Sequence, residues 1–351
     1  MAKKHTVKTI RIRGFLIDAV RAGRQDVVST ASSAFGISRQ SINRHLAALV
    51  DAGCLIATGQ TKGRAYSLGP VRSYVTQYEL NGLDEHIVHR RDFAFIFDDL
   101  PESVAEICHY GFTEILNNAI DHSDGEFVTI HAHRDKESVF IQVVDDGEGI
   151  FKRIARLLDL PDPRESILEL SKGKLTTDPD NHTGEGIFFT SRAFDWFHID
   201  SGDLCFTHKD ATQNDVLLHN DYDGEGTTVY MEIPLNSDKS LGEVFDEYSG
   251  GPDEYRFEKT IVPVRLALYE GETLVSRSQA KRILNRVERF RTVILDFEGV
   301  DKIGQGFADE TFRVFANAHP NIALIPSNVS QQVRQMIARV RTTDTDLDGA
   351  Q

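Results

Sequence analysis

The sequence predicts an α+β multidomain chain, and three observations carry that reading. With 351 residues, the chain exceeds what one ordinary hydrophobic core organises, so two or three domains are expected. Its charge is unevenly spread. Residues 1–70 hold eleven Lys/Arg against three Asp/Glu, a local +8, so a net charge of −15 leaves −23 on the remainder. The pattern also changes along the chain: helical periodicity at the start, helices mixed with β-branched runs up to Pro234, and a fresh strand–helix alternation after Thr260. No apolar run reaches about eighteen residues, and MAKKHTVKTIRIRG has no signal-peptide core. Cys54, Cys108 and Cys205 are odd in number and widely spaced, which suggests neither a disulfide framework nor a zinc site. A cytoplasmic protein without a membrane partner is expected.

Residues 1–70 read as three helices and a ribbon. Ile10–Arg21 is amphipathic through Ile10, Phe15, Leu16, Ala19 and Val20. Asp26–Phe35 forms a second helix. Gly36-Ile37-Ser38 is a tight turn in which Ser38 is a natural N-cap. Arg39–Ala52 turns Ile42, Leu46, Leu49 and Val50 inward, and Gly53 stops it. LIATG and RAYSLG then form a hairpin around Gln60-Thr61-Lys62-Gly63. The stretch GISRQSINRHLAALVDAGCLI resembles the turn, recognition helix and wing entry of a winged helix-turn-helix. That resemblance implies a DNA partner, read by the exposed Arg39, Gln40, Asn43 and Arg44, with Lys62 and Arg64 on the wing near the phosphate backbone. A winged helix used for protein contact is the alternative; the local +8 favours DNA.

Residues 71–99 read as a connector. His86 and His89 in LDEHIVHRRDF invite comparison with a phosphoacceptor histidine. No long helical hairpin surrounds them, and the usual acidic and proline neighbours are missing, so they read as packing or linker residues.

The chemistry is concentrated in residues 100–236. In FTEILNNAIDHSDG, Glu114 and Asn118 are four apart and share one helix face. SVFIQVV is a strand delivering Asp145 into Asp145-Asp146-Gly147-Glu148-Gly149. HTGEGIFFT opens a helix with Gly184 and Gly186; lacking a third glycine and a preceding strand, it is no dinucleotide fingerprint. Gly226-Thr227-Thr228 begins the strand TTVYMEIP. Taken in this order, the four segments resemble the gyrase, histidine-kinase and mismatch-repair (GHKL) ATPase superfamily and its Bergerat nucleotide fold. The resemblance implies ATP and Mg²⁺ as cofactors: Asp145 accepting the adenine amine, Thr228 supporting it, Gly147 and Gly149 leaving room for the ring. Gly184 and Gly186 would offer N–H groups to the phosphates, Asn118 an oxygen to Mg²⁺, and Glu114 a base for the attacking nucleophile. The stretch from Gly149 to Gly184, with Lys172, Gly173 and Lys174, looks like a mobile lid in which Lys174 meets the nucleotide. Asp121 and His122 are expected to fix the helix end instead of touching ligand.

Residues 237–256 are acidic and turn-rich and read as a linker around Ser249-Gly250-Gly251-Pro252. Residues 257–341 alternate strands (TIVPVRLALY, TVILDFEGV, NIALIP) with helices. They resemble STAS-like domains, on the strength of VILDFEGVDKIGQGFADE at a strand-to-helix corner. The corner Asp301–Gly306 lacks the hydroxyl of phosphorylatable relatives, and Ser276 reads as a helix cap. Residues 342–351 should be disordered. The combination implies an ATP-binding transcriptional regulator whose nucleotide controls DNA binding, a homodimer, or a protein partner docked on the STAS-like domain. The alternative is a protein serine/threonine kinase, similar to anti-sigma-factor kinases, acting on a separate chain. A non-catalytic scaffold would have no need of Glu114 and Asn118.

Overall fold

Three helices and a hairpin come first in the computed structural model, which describes residues 7–60, 64–175, 184–210, 214–219, 224–251, 254–268 and 272–342. The helices are α1 (Val7–Arg21), α2 (Val27–Phe35) and α3 (Arg39–Asp51). Gly36 ends α2 in the left-handed region at φ 61°, and the Ser38 hydroxyl caps α3 by accepting the Ser41 N–H at 3.2 Å. Such a cap is worth about 1 kcal/mol. β1 (Leu55–Thr58) and β2 (Ala65–Leu68) pair antiparallel, and Lys62 lies outside the described residues. Ile12, Leu16, Ala31, Ile42, Leu46 and Leu55 are among the buried residues of a separate core in this module, and half-buried Leu68 packs against both it and the core of the body. Phe15, expected inside, is half-buried, and Ile12 is buried instead.

The expected connector is part of the body. β3 (Arg72–Glu79) pairs along its whole length with β4 (Phe127–Arg134), and polar residues dominate its sequence because it is an edge strand buried on one face only. After it, α4 (Glu85–Val88), a π turn (His89–Phe93) and α5 (Ala94–Phe97) bury Val88, Phe93, Ile96 and Phe97. Arg72 and Arg134, facing each other across the strands, donate to the carbonyls of Phe95 and Asp98 at the end of α5, where cations suit the helix dipole. His89 stacks on Phe97 with centroids 5.2 Å apart, so it is a packing residue.

α6 (Glu102–His122), β5 (Ser138–Asp145), α7 (Ile150–Leu158), α8 (Glu165–Lys172), α9 (Gly186–Ala193), β6 (Trp196–Ser201), β7 (Leu204–Lys209), β8 (Asn214–His219) and β9 (Thr228–Pro234) complete the central unit. Its seven-stranded sheet is antiparallel throughout, in the order β3-β4-β5-β9-β6-β7-β8. Alternate residues Val139, Ile141, Val143 and Asp145 of β5 are buried, as the strand period requires. Arg192 of α9 clamps Asp215 of β8 at 2.7 and 2.8 Å, with His208 at 2.7 Å from Asp215. Burial pushes the Asp215 carboxyl up, but the Arg192 guanidinium outweighs it and holds the group well below the usual carboxylate range.

The expected linker is also folded. α10 (Leu241–Glu247) is capped by Ser240, and β10 (Ser249–Gly251) pairs with β11 (Glu254–Phe257). Tyr248 and Phe257 close on Phe188 with centroids at 4.9 and 4.7 Å, and Phe245 on Phe189 at 4.7 Å. Acidic composition concealed these aromatic anchors. β12 (Lys259–Pro263), β13 (Thr292–Asp296) and β14 (Ala323–Ser327) form a parallel sheet with β13 central. β12 is shorter than TIVPVRLALY suggests, because a 3-10 turn takes over at Val264–Ala267. α11 (Arg277–Leu284) starts with a Ser276–Gln279 capping box. α12 (Gln305–Asp309) runs through a π turn into α13 (Ala316–Ala318), and α14 (Gln331–Thr342) follows. Residues 343–351 of the expected disordered tail lie outside the described residues. One continuous core joins this module to the central unit. Among the described residues, no helix is long and apolar enough to cross a membrane.

Candidate functional site

A cavity of about 310 Å³ opens between α6, the end of β5, α7 and the start of α9, the size of a small-molecule site. Six of the residues singled out by sequence line it: Glu114, Asn118, Asp145, Gly149, Gly184 and Gly186. They come from three separate segments, and each is delivered by its local structure. Asn118 donates its amide N–H to the Glu114 carbonyl at 2.8 Å, one helical turn back. That bond uses the nitrogen end and turns the amide oxygen away from the helix. Gly186 is the first residue of α9, whose N-terminus has no side-chain cap. A Cβ there would stand 2.0 Å from a Glu114 carboxylate oxygen, so a larger residue at this position would displace the Glu114 side chain. Unpaired N–H groups at such a terminus suit an anion.

Asp145 is the electrostatic centre of the site. Its Oδ1 accepts the N–H of Gly147 at 3.0 Å and of Thr227 at 3.2 Å. Burial raises its carboxyl to about 6, against the lowering effect of these hydrogen bonds. A carboxylate held in a mostly apolar pocket at neutral pH gains from any ligand donor that reaches it. Its neighbour Asp146 has a different task, accepting the N–H groups of Glu126 and Phe127 at 2.8 and 2.9 Å and so fixing the start of β4.

Three expected residues do not line the cavity. Gly147 is buried against the end of α6, where a Cβ would stand 2.0 Å from the Ser123 carbonyl oxygen; its lack of a side chain serves packing. Thr228 lies on the opposite sheet face, because Val144↔Thr228 and Val143↔Val229 are the cross-strand pairs and Val143 and Val229 face the cavity. Thr227, one residue earlier, lines the cavity instead. Lys174 points away, its ammonium donating to the Arg289 carbonyl at 3.1 Å and lying 4.8 Å from the Phe290 ring centroid. The expected mobile stretch is, over residues 165–175, bonded to the C-terminal module.

Asn117, His122, Ile150, Arg153 and Leu157 also line the cavity without having been expected there. The last three repeat at helical spacing from the Asp-x-Gly-x-Gly turn, the available signal. Arg153 pairs with Asp124. Asp121 is exposed, as expected of a helix-end residue, whereas His122 reaches the cavity.

On the N-terminal module, Arg39, Gln40, Asn43 and Arg44 are all exposed on one face of α3. Arg39 and Arg64 share a surface pocket of about 290 Å³ with Arg24, which composition alone did not single out. Elsewhere, His198, Asp200 and Cys205 bring donor atoms within 4.8 Å of one another. The two ring nitrogens of His198 are already engaged by Thr207 and Asp200, at 2.5 and 2.9 Å.

Residues 279–334 match the model of a family described as a STAS-like domain of unknown function (DUF4325). The match falls inside the module built on β12–β14 and includes the corner at Asp301–Gly306. No curated protein matches the chain.

Proposed function

We propose that this chain is an ATP-binding transcriptional regulator of GHKL type, in which Mg-ATP in the central cavity sets the DNA affinity of a winged-helix N-terminal module. The observation that carries the reading is the meeting of Glu114, Asn118, Asp145, Gly149, Gly184, Gly186 and Thr227 in one cavity from four distant segments. Asp145 would accept the adenine amine, with Thr227 in the supporting place. The α9 N-terminus and Gly184 would bind phosphates. The donor chemistry fits Mg²⁺: Asn118 presents a neutral oxygen, and the nucleotide supplies the remaining charge. Bound there, the ion would neutralise phosphate charge; Glu114 would orient or deprotonate water for slow hydrolysis. The STAS-like module, a protein-interaction type of domain, would take the protein partner.

Coupling has a covalent route. β2 and β3 are separated only by Gly69, Pro70 and Val71, and the Gly53 carbonyl accepts the Val71 N–H at 3.1 Å. The test is a titration of a duplex selected from a random pool, by fluorescence anisotropy with and without Mg-ATP. The expected change in affinity is about fivefold or more. An isotherm unmoved by saturating nucleotide would sink the reading.

A second reading, phosphoryl transfer to another protein, gains from one observation. Glu114 also borders a second cavity of about 220 Å³ with Tyr110, Glu185 and Phe245, through which an acceptor hydroxyl could approach. Incubation with labelled ATP and cell extract tests it: a labelled acceptor band supports transfer, and its absence excludes it.

A further inference from the structure

The segment from α8 to Leu175 has two sides. Leu170 and Leu175 face the cavity, while the other side is bonded to the C-terminal module. Lys172 is 1% exposed, and an ammonium offers three donors and no acceptor. All three are used, on Glu169 Oε1 at 2.7 Å and on the carbonyls of Asn285 and Arg282 at 2.8 and 3.3 Å. The Lys172 carbonyl in turn accepts the hydroxyl of buried Thr260 at 2.7 Å. Two residues on, Lys174 donates to the Arg289 carbonyl, and the Arg289 guanidinium donates back to the Lys174 carbonyl at 2.8 Å. Arg282 pairs with Glu165 at 3.1 Å. Between the lysines, Gly173 sits at φ +78° with the Phe257 ring 2.5 Å from where a Cβ would stand. The backbone here is pressed onto the seam.

A buried ammonium–carboxylate pair is tolerated only where every donor and acceptor is matched. Here the matching atoms come from two modules, so the pair is complete only when they are docked. We propose that the C-terminal module positions this wall of the cavity: Arg282 and Arg289 hold residues 165–175 in place, so affinity for a nucleoside triphosphate depends on the module being seated. The inference rests on the nucleotide reading given above. Arg282 and Arg289 do not line the cavity and are positioning residues. Linkage makes the effect reciprocal, so nucleotide also tightens the seam.

The test uses the full chain, with calorimetric titration of ATP and Mg²⁺. Arg282→Ala/Arg289→Ala should raise the Kd about tenfold, while Arg282→Lys/Arg289→Lys, which keeps a donor at both places, should recover most of the affinity. Hydrogen exchange on the unmutated chain is the second measurement: saturating ATP should slow amides of residues 277–291, outside the cavity. If the wild type binds and the alanine variant binds equally well, the positioning role is overturned and the nucleotide reading stands. If the wild type binds no nucleotide, both are overturned. Should the alanine variant unfold, exchange decides, and no nucleotide-dependent protection at 277–291 overturns the proposal.

Discussion

The two modules flanking the central sheet are joined to it in opposite ways. The N-terminal one keeps a separate core and meets the body through side chains such as Leu68, packed against both cores, and Arg21, whose guanidinium lies 4.7 Å from the Phe95 ring centroid. The C-terminal one shares a core with it: its buried residues are continuous with those of the central unit, and a charged pair is sealed in the seam. The first is an attached domain, the second a part of the body. Modules that look equally separate in sequence can therefore differ in thermodynamic independence, according to whether each buries its apolar surface alone.

Deletion gives the largest effect by which to break this contrast. Removing residues 259–351 should abolish cooperative unfolding of the remainder, whereas removing residues 1–68 should leave the main transition intact. Calorimetry of the two truncations checks it, and equal outcomes would erase the distinction. Next, Lys172→Met leaves Glu169 buried with only Arg286, 3.8 Å away, as a charged partner, and should cost about 3 kcal/mol. Arg21→Ala at the opposite seam should cost under about 1 kcal/mol. Urea unfolding of both variants measures the difference.

A smaller effect comes from Asp145. Its pKa lies above the usual carboxylate value, at about 6, so the folded state favours the protonated form. The stability this confers is present below about pH 4 and is lost as the pH rises through 6. Asp145→Asn should therefore stabilise the ligand-free protein by about 2 kcal/mol at pH 7 and flatten this part of the pH profile, while weakening nucleotide binding. A transition belonging to the N-terminal module should show no such dependence. Smallest in stability is Arg44→Ala, exposed on α3, which should leave the melting temperature unmoved. In a DNA titration it should reduce affinity and lower the salt slope by about one.

Much of this was legible because local chemistry decides it. Ser38 and Ser276 announce their helices, Gly36 the turn, and the period of four joining Glu114 to Asn118 survives folding. What was not legible depends on partners distant in sequence. Thr228 gave way to Thr227 because strand parity is set by the register with β5, which no residue at 226–228 reveals. Gly147 answers to Ser123 across a turn. Lys174 looked like a phosphate ligand because nothing nearby shows that Arg289 and Phe290 claim it. The two supposed connectors were misread for one reason: an edge strand with one wet face, and an acidic stretch with scattered aromatics, both resemble loops until their packing surfaces are known.

Gly69 touches the carbonyl oxygen of Gly53 so closely that a methyl group there would stand 2.0 Å from it. The N-terminal module is thus held at this joint by backbone against backbone, with the Arg72 guanidinium donating to the Gly69 carbonyl at 3.0 Å. A small rotation of the outermost strand would swing the basic helix through an arc, like a pointer fixed to the rim of a dial. An added methyl at this point would bend the pointer without touching the dial.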